Sequence, residues 1–133
     1  SNTITAHASG GISLNAINPV RQCYIVRRLT PLECERLQGF PDGWTDIQGA
    51  TDTARYRALG NSIALPQWEY VLQNISEHLK ARATLGSLFD GIGGFPLVWE
   101  RIQGDGTARW ASEIEKFCIK VTKYHFPEKG GTT

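Results

Sequence analysis

The stretch SLFDGIGGF, residues 87–95, holds the residues whose types and spacing are best suited to chemistry. Gly91, Gly93 and Gly94 remove side chains where an apolar strand ends and a helix begins, so the backbone there can pass close to a bound group. Free N–H groups and the positive end of the helix dipole at that point favour an anion such as a carboxylate or phosphate. A dinucleotide fingerprint, G-x-G-x-x-G, needs a third glycine where Pro96 stands, which argues against NAD or FAD. Glu113 ends the following strand, where an acid can accept bonds from two ribose hydroxyls. A ribose and a carboxylate without a pyrophosphate point to S-adenosyl-L-methionine as cofactor. The plainer alternative, a tight turn beside a surface glutamate, is left open by these residues alone.

Stepping outward, the elements that must position this turn are well punctuated. Residues 83–89 read as a strand and 95–102 as a helix with Pro96 in its first turn. A second strand follows at 107–112, and Ile114, Phe117, Cys118 and Val121 mark the helix after it. Strand, helix, strand, helix with short turns predicts parallel strands in an α/β sheet. Upstream, LTPLECERLQGFPDGW (29–44) predicts a helix with Thr30 as N-cap, Pro31 as first residue, a Thr30–Glu33 capping box and Gly39 as terminator. Residues 45–60 read as a polar loop. From Ile63 to about Lys80, Trp68, Val71, Leu72, Ile75 and Leu79 form one apolar helical stripe. CYIV (23–26) reads as a short strand, and the weakly charged residues 1–20 as loops and edge strands.

Composition sets the outer limits. A chain of 133 residues with 41% hydrophobic content suits one ordinary core. The net charge of +1 supplies no overall attraction to nucleic acid, so any such affinity must be local. No apolar run approaches a membrane span, and no membrane partner is expected. Cys23, Cys34 and Cys118 are odd in number and far apart, which excludes a disulfide framework and a zinc knuckle and makes a cytoplasmic setting the expectation. The scattered His7, His78 and His125 lack metal-ligand spacing, so no metal site is expected.

Both halves resemble the DNA (cytosine-5) methyltransferases. SLFDGIGGF is similar to that family's first motif, the F-x-G-x-G-G loop that holds S-adenosyl-L-methionine, and ASEIEKF to its second. RRLTPLECERLQGFPDGW closely resembles the ninth motif, and YRALGNSIALP the tenth. The resemblance implies a Rossmann-like methyltransferase fold with cofactor contacts from Phe89, Asp90, Gly91, Ile92, Gly93, Gly94, Glu113, Ile114, Asn61 and Ser62. In it Glu113 takes the ribose, Phe89 and Ile114 flank the adenine, and Asn61–Ser62 lie against the methionine end. Double-stranded DNA is the implied partner, with Arg27, Arg28 and Arg36 as phosphate contacts or braces.

The family's usual order places the glycine loop first and the ninth and tenth motifs last. Here the last two come first. The expected fold is therefore incomplete and circularly permuted: 1–22 a tail of the target-recognition region or a loop, 23–80 the ninth and tenth motifs, 81–133 the start of the cofactor domain. The resemblance also implies that helix 63–80 packs beside strand 84–89, bringing Asn61 to the glycine turn. The family's Pro-Cys nucleophile, Glu-Asn-Val and Gln-x-Arg-x-Arg segments are absent, so no catalytic residue is assigned and the isolated chain is expected to be inactive. Two readings follow: the cofactor-binding portion of a bacterial or phage restriction-modification methyltransferase, or a non-catalytic or split subunit that needs a nucleophile-bearing partner. Arg55 and Arg57 read as solvated, and Trp44, Trp68, Trp99 and Trp110 as core.

Overall fold

The computed structural model describes residues 27–79 and 81–127. The expected strand at 23–26 and the segment 1–22 lie outside the described residues. Helix α1 (Pro31–Gln38) starts and stops as its sequence dictates. The Thr30 hydroxyl accepts the Glu33 N–H at 3.2 Å, and the Glu33 carboxylate accepts the Thr30 N–H at 2.8 Å. Gly39 closes the helix with φ 82°, and a Cβ there would lie 2.8 Å from the Pro66 ring. Only glycine satisfies both the left-handed turn and this close approach of the third helix.

Residues 52–60 depart from the expected loop. Asp52–Gly60 is a helix, α2, whose N-cap Thr51 accepts the Ala54 N–H at 3.3 Å. It buries Ala58 and Leu59 at one end, too little apolar surface to leave a periodic signature in DTARYRALG. Helix α3 (Leu65–Glu77) follows, shorter than the expected span. Of its apolar stripe only Leu72 is buried, while Trp68, Val71, Ile75 and Leu79 remain partly exposed.

Strand β1 (Leu85–Leu88), helix α4 (Gly94–Gln103), strand β2 (Ala108–Ser112) and helix α5 (Lys116–His125) complete the chain. The strands pair in parallel, Leu85 opposite Ala108 and Leu88 opposite Ser112, with an irregularity after Leu85. Parallel pairing requires a crossover, and α4 supplies it while packing on both strands. Helix α3 lies along α4, through Trp68 edge-on to Phe95 and Gln103 donating to Ser76, so it reaches the sheet through α4 rather than by lying beside β1. One apolar core joins Leu59 and Leu65 from the first half to Ile92, Val98 and Val121 from the second. Trp44 and Trp99 belong to it. Trp110 does not: it lies half-exposed over Gly86, so closely that an added Cβ would clash with the indole.

Candidate functional site

At the carboxyl ends of β1 and β2, three backbone segments meet. The first is the turn from Phe89 to Gly94. Phe89 adopts φ 53°, left-handed geometry uncommon for an aromatic residue, and its side chain is 80% exposed. Asp90 is buried and accepts a bond from the Ser87 hydroxyl at 2.6 Å, while its N–H donates to the Ser112 carbonyl, tying the turn to β2. Gly91 and Gly93 both have positive φ, and Gly93 is the N-cap of α4. The first-turn N–H groups of α4 have no intrahelical acceptor, which makes this end electropositive.

Glu113 forms the second segment. Its Oε1 accepts the N–H groups of Ile114 (2.7 Å) and Glu115 (2.9 Å), and its Oε2 accepts the Gly91 N–H at 2.7 Å. Burial by itself would raise its pKa. The three backbone donors, those of Glu115, Gly91 and Ile114, outweigh that and hold it below the ordinary carboxylate value, so it is ionised at neutral pH. Each carboxylate oxygen has two lone-pair directions, so Oε2 retains one for a further donor. Ile114, which precedes α5, is 83% exposed beside it in sequence.

The third segment links α2 to α3. Ile63 packs against Gly94 so closely that a Cβ on that glycine would sit 3.0 Å from Ile63 Cγ1. Asn61 lines a cavity of about 70 Å³ with Glu115, Phe117, Cys118 and residues of α2. Arg57 is exposed, as expected, and forms a 3.5 Å ion pair with Glu115 at the rim of this cavity. The link thus touches the start of α4 through Ile63 and shares a cavity with the 115–118 segment through Asn61. Burial, with the nearby Glu113 and Glu115, pushes the Cys118 thiol up to about 11, which makes it a poor nucleophile.

The arginines lie elsewhere. Arg27 forms a two-pronged ion pair with Glu33, whose carboxyl is lowered to about 2 by the Arg27 hydrogen bond and the Thr30 N–H. Arg36 pairs in the same manner with Asp42. Both pairs are exposed, and Arg28 is exposed beside the first.

Two further features carry no sequence signal of their own. Glu35 is fully buried, accepting from the Gly43 N–H (2.7 Å), the Thr45 N–H (2.8 Å), the Thr45 hydroxyl and Arg55 (3.3 Å). Trp44 donates its indole N–H to the Ile92 carbonyl at 2.7 Å and stacks on His125 at 3.6 Å. A larger cavity, about 300 Å³, opens at the opposite end of the sheet among Arg82, Thr84, Asp105, Thr107 and Arg109. Its lining includes Gly106 of the Gly104–Gly106 turn and no aromatic residue. Among the described residues no group of three or more His, Cys, Asp or Glu could hold a metal ion, and no helix is long and apolar enough to cross a membrane.

The model of the C-5 cytosine-specific DNA methylase family matches residues 5–77, more than half of the chain, and ends before the glycine turn. A DNA N-6-adenine-methyltransferase of Escherichia phage P1 is 37% identical over 101 residues, covering 49% of this chain and 13% of that protein. Type II methyltransferase M.BanI of Aneurinibacillus aneurinilyticus is 41% identical over 59 residues, covering 44% and 13%. Type II methyltransferase M.Sau3AI of Staphylococcus aureus is 48% identical over 42 residues, covering 32% and 10%. The chain therefore spans only 13%, 13% and 10% of the lengths of these three relatives.

Proposed function

The chain belongs to the C-5 cytosine-specific DNA methylase family, and from that footing we propose that it is the S-adenosyl-L-methionine-binding portion of a DNA (cytosine-5) methyltransferase of restriction-modification type. The observation that supports this best is the convergence at one end of the sheet. There the ionised Glu113 holds the Gly91 N–H, the electropositive start of α4 packs on the 61–64 link through Ile63, and Phe89 and Ile114 stand exposed on the adjoining residues. These groups suit the cofactor's chemistry. The α4 N-terminus would face its carboxylate, the remaining acceptor direction of Glu113 a ribose hydroxyl, Phe89 and Ile114 its adenine, and Asn61–Ser62 its methionine end. The cofactor, when bound, supplies a methyl group on a sulfonium. The chain's own residues bind and orient it.

In this reading residues 23–80 carry the ninth and tenth motifs and 81–133 the first and second, in permuted order. The short connection from α3 to β1 suits that order, because α3 already packs on the helix that follows β1. The DNA and the thiolate that attacks cytosine belong to the rest of the enzyme, in the same parent chain or in a second subunit. Arg27 and Arg36 would exchange their exposed carboxylate partners for phosphate, and Arg28 would join them. The high thiol pKa and burial of Cys118 favour a nucleophile supplied from elsewhere.

Calorimetry with S-adenosylhomocysteine tests the assignment. Glu113→Ala removes a charge-assisted bond worth about 1.5–3 kcal/mol, so affinity should fall on the order of ten- to a hundredfold. Equal affinity in wild type and variant would remove the basis of the reading. The chain alone should transfer no labelled methyl to duplex DNA, and a fragment carrying the Pro-Cys, Glu-Asn-Val and Gln-x-Arg-x-Arg segments should restore transfer. Methylation by the chain alone that survives Cys→Ser replacement at all three cysteines would refute the division of labour.

A further inference from the structure

We propose that Trp44 is a positioning residue for the glycine turn, so that the 31–46 segment sets how well residues 91–94 hold their ligand. The proposal rests on the cofactor reading of that turn. Its basis is a buried mechanical linkage across the molecule. Glu35, in the second turn of α1, fixes the backbone of the following loop by accepting the Gly43 and Thr45 N–H groups, and Arg55 bridges Glu35 to the Thr45 hydroxyl. Trp44 lies between those two anchored residues, itself 5% exposed. Its N–H reaches the Ile92 carbonyl, and its ring is held by the stack on His125, which also bonds the Trp44 carbonyl at 2.8 Å. Phe126, edge-on to Trp44, presses against Gly93, where a Cβ would meet it at 3.0 Å.

Anchoring one carbonyl fixes a whole planar peptide unit. The Ile92 carbonyl is drawn toward Trp44, and the Gly91 carbonyl accepts from the Thr122 hydroxyl at 3.3 Å. In a trans unit the N–H points opposite to its C=O, so holding the Gly91 carbonyl against α5 turns the Ile92 N–H away from that helix. A turn with three glycines has many alternative backbone states, and these two donors select one. Gly91 and Gly93 therefore combine glycine's freedom with a fixed geometry set by side chains more than 25 residues distant in sequence.

Trp44→Phe keeps an aromatic ring at this position and removes the donor together with part of the indole's packing. Trp99→Phe is its control, because Trp99 is also buried and loses the same ring volume, but donates its indole N–H at 3.3 Å to the Ala83 carbonyl, at the end of β1 away from the turn. Amide hydrogen exchange and S-adenosylhomocysteine affinity are measured for both, with thermal stability alongside. Trp44→Phe should raise exchange at residues 91–94 roughly tenfold and weaken binding five- to tenfold, while Trp99→Phe changes neither by more than about twofold. Equal effects from the two variants, or unchanged exchange at 91–94 in Trp44→Phe, would overturn the proposal. Altered exchange in a wild-type background that binds no cofactor supports the positioning and overturns the cofactor reading. The two can thus fail separately.

Discussion

Two regions of this molecule treat polar and apolar groups in opposite ways. Around Glu35 a carboxylate is buried completely, and four donors satisfy it. At the ends of β1 and β2, Phe89 and Ile114 are exposed at 80% and 83%, and Phe89 is in left-handed geometry. The first arrangement fixes a turn that buries Trp44 and Thr45. The second is costly for the isolated fold and is of use to something that covers it. The contrast teaches where stability and binding reside: replacing Glu35 itself should act mainly on folding and replacing residues at the sheet's end mainly on ligand affinity, with Trp44 coupling the first region to the second.

The largest effect should come from Glu35→Ala. It leaves Arg55, whose side chain is only 12% exposed, without its buried partner and strands two backbone donors. Breaking a buried pair from one side costs about 3–5 kcal/mol. Denaturant unfolding should show that loss, and a change below 1 kcal/mol would erase the distinction between the two regions.

Acid should act through the same group. Burial raises the Glu35 pKa, but the Thr45 hydroxyl, the Thr45 and Gly43 N–H groups and Arg55 together bring it below the ordinary value of 4.5. The folded state then binds its proton less readily than the unfolded chain. The contribution is complete above the unfolded value and is lost as pH falls through 4.5 toward the lower folded value. Thermal midpoints should be flat from neutral pH to about 5.5 and drop steeply below about 4.5, with a shallower drop in Glu35→Gln. Identical acid profiles for the two proteins would locate the acid sensitivity elsewhere.

Phe89→Asn should move stability and binding in opposite directions. Asparagine tolerates left-handed geometry, and Phe89 has little packing to lose, so unfolding free energy should rise by roughly 0.5–1 kcal/mol. Affinity for S-adenosylhomocysteine should fall severalfold. Parallel losses in both would mean that Phe89 is part of the fold's support rather than of its binding face.

The sequence carried some of this and not the rest, for physical reasons. Local signals were legible: the Thr30–Glu33 box, the Gly39 stop, both strands and the helix after the glycine turn all lie where their residues predict. Helix α2 was not, because it buries only its last apolar residues and shows no periodic face. Glu35 looks like any polar residue on a short helix; its burial depends on Gly43, Thr45 and Arg55 folding back over it. The apolar run on α3 predicted a buried stripe, yet Trp68, Val71 and Ile75 are partly exposed, since periodicity identifies a face but not what covers it. The glycines and Glu113 stood out through spacing alone. The bond from Trp44 to Ile92 joins residues 48 apart and has no local trace.

The central claim is that Phe89–Gly94, Glu113–Ile114 and Asn61–Ser62 form one cofactor site, and an amide chemical-shift titration of the chain with S-adenosylhomocysteine tests it most directly. The account predicts saturable shifts concentrated in those three segments, with little change at Arg82, Thr107 and Arg109 at the other end of the sheet. Shifts centred on that opposite cavity, or none at millimolar ligand, would contradict it.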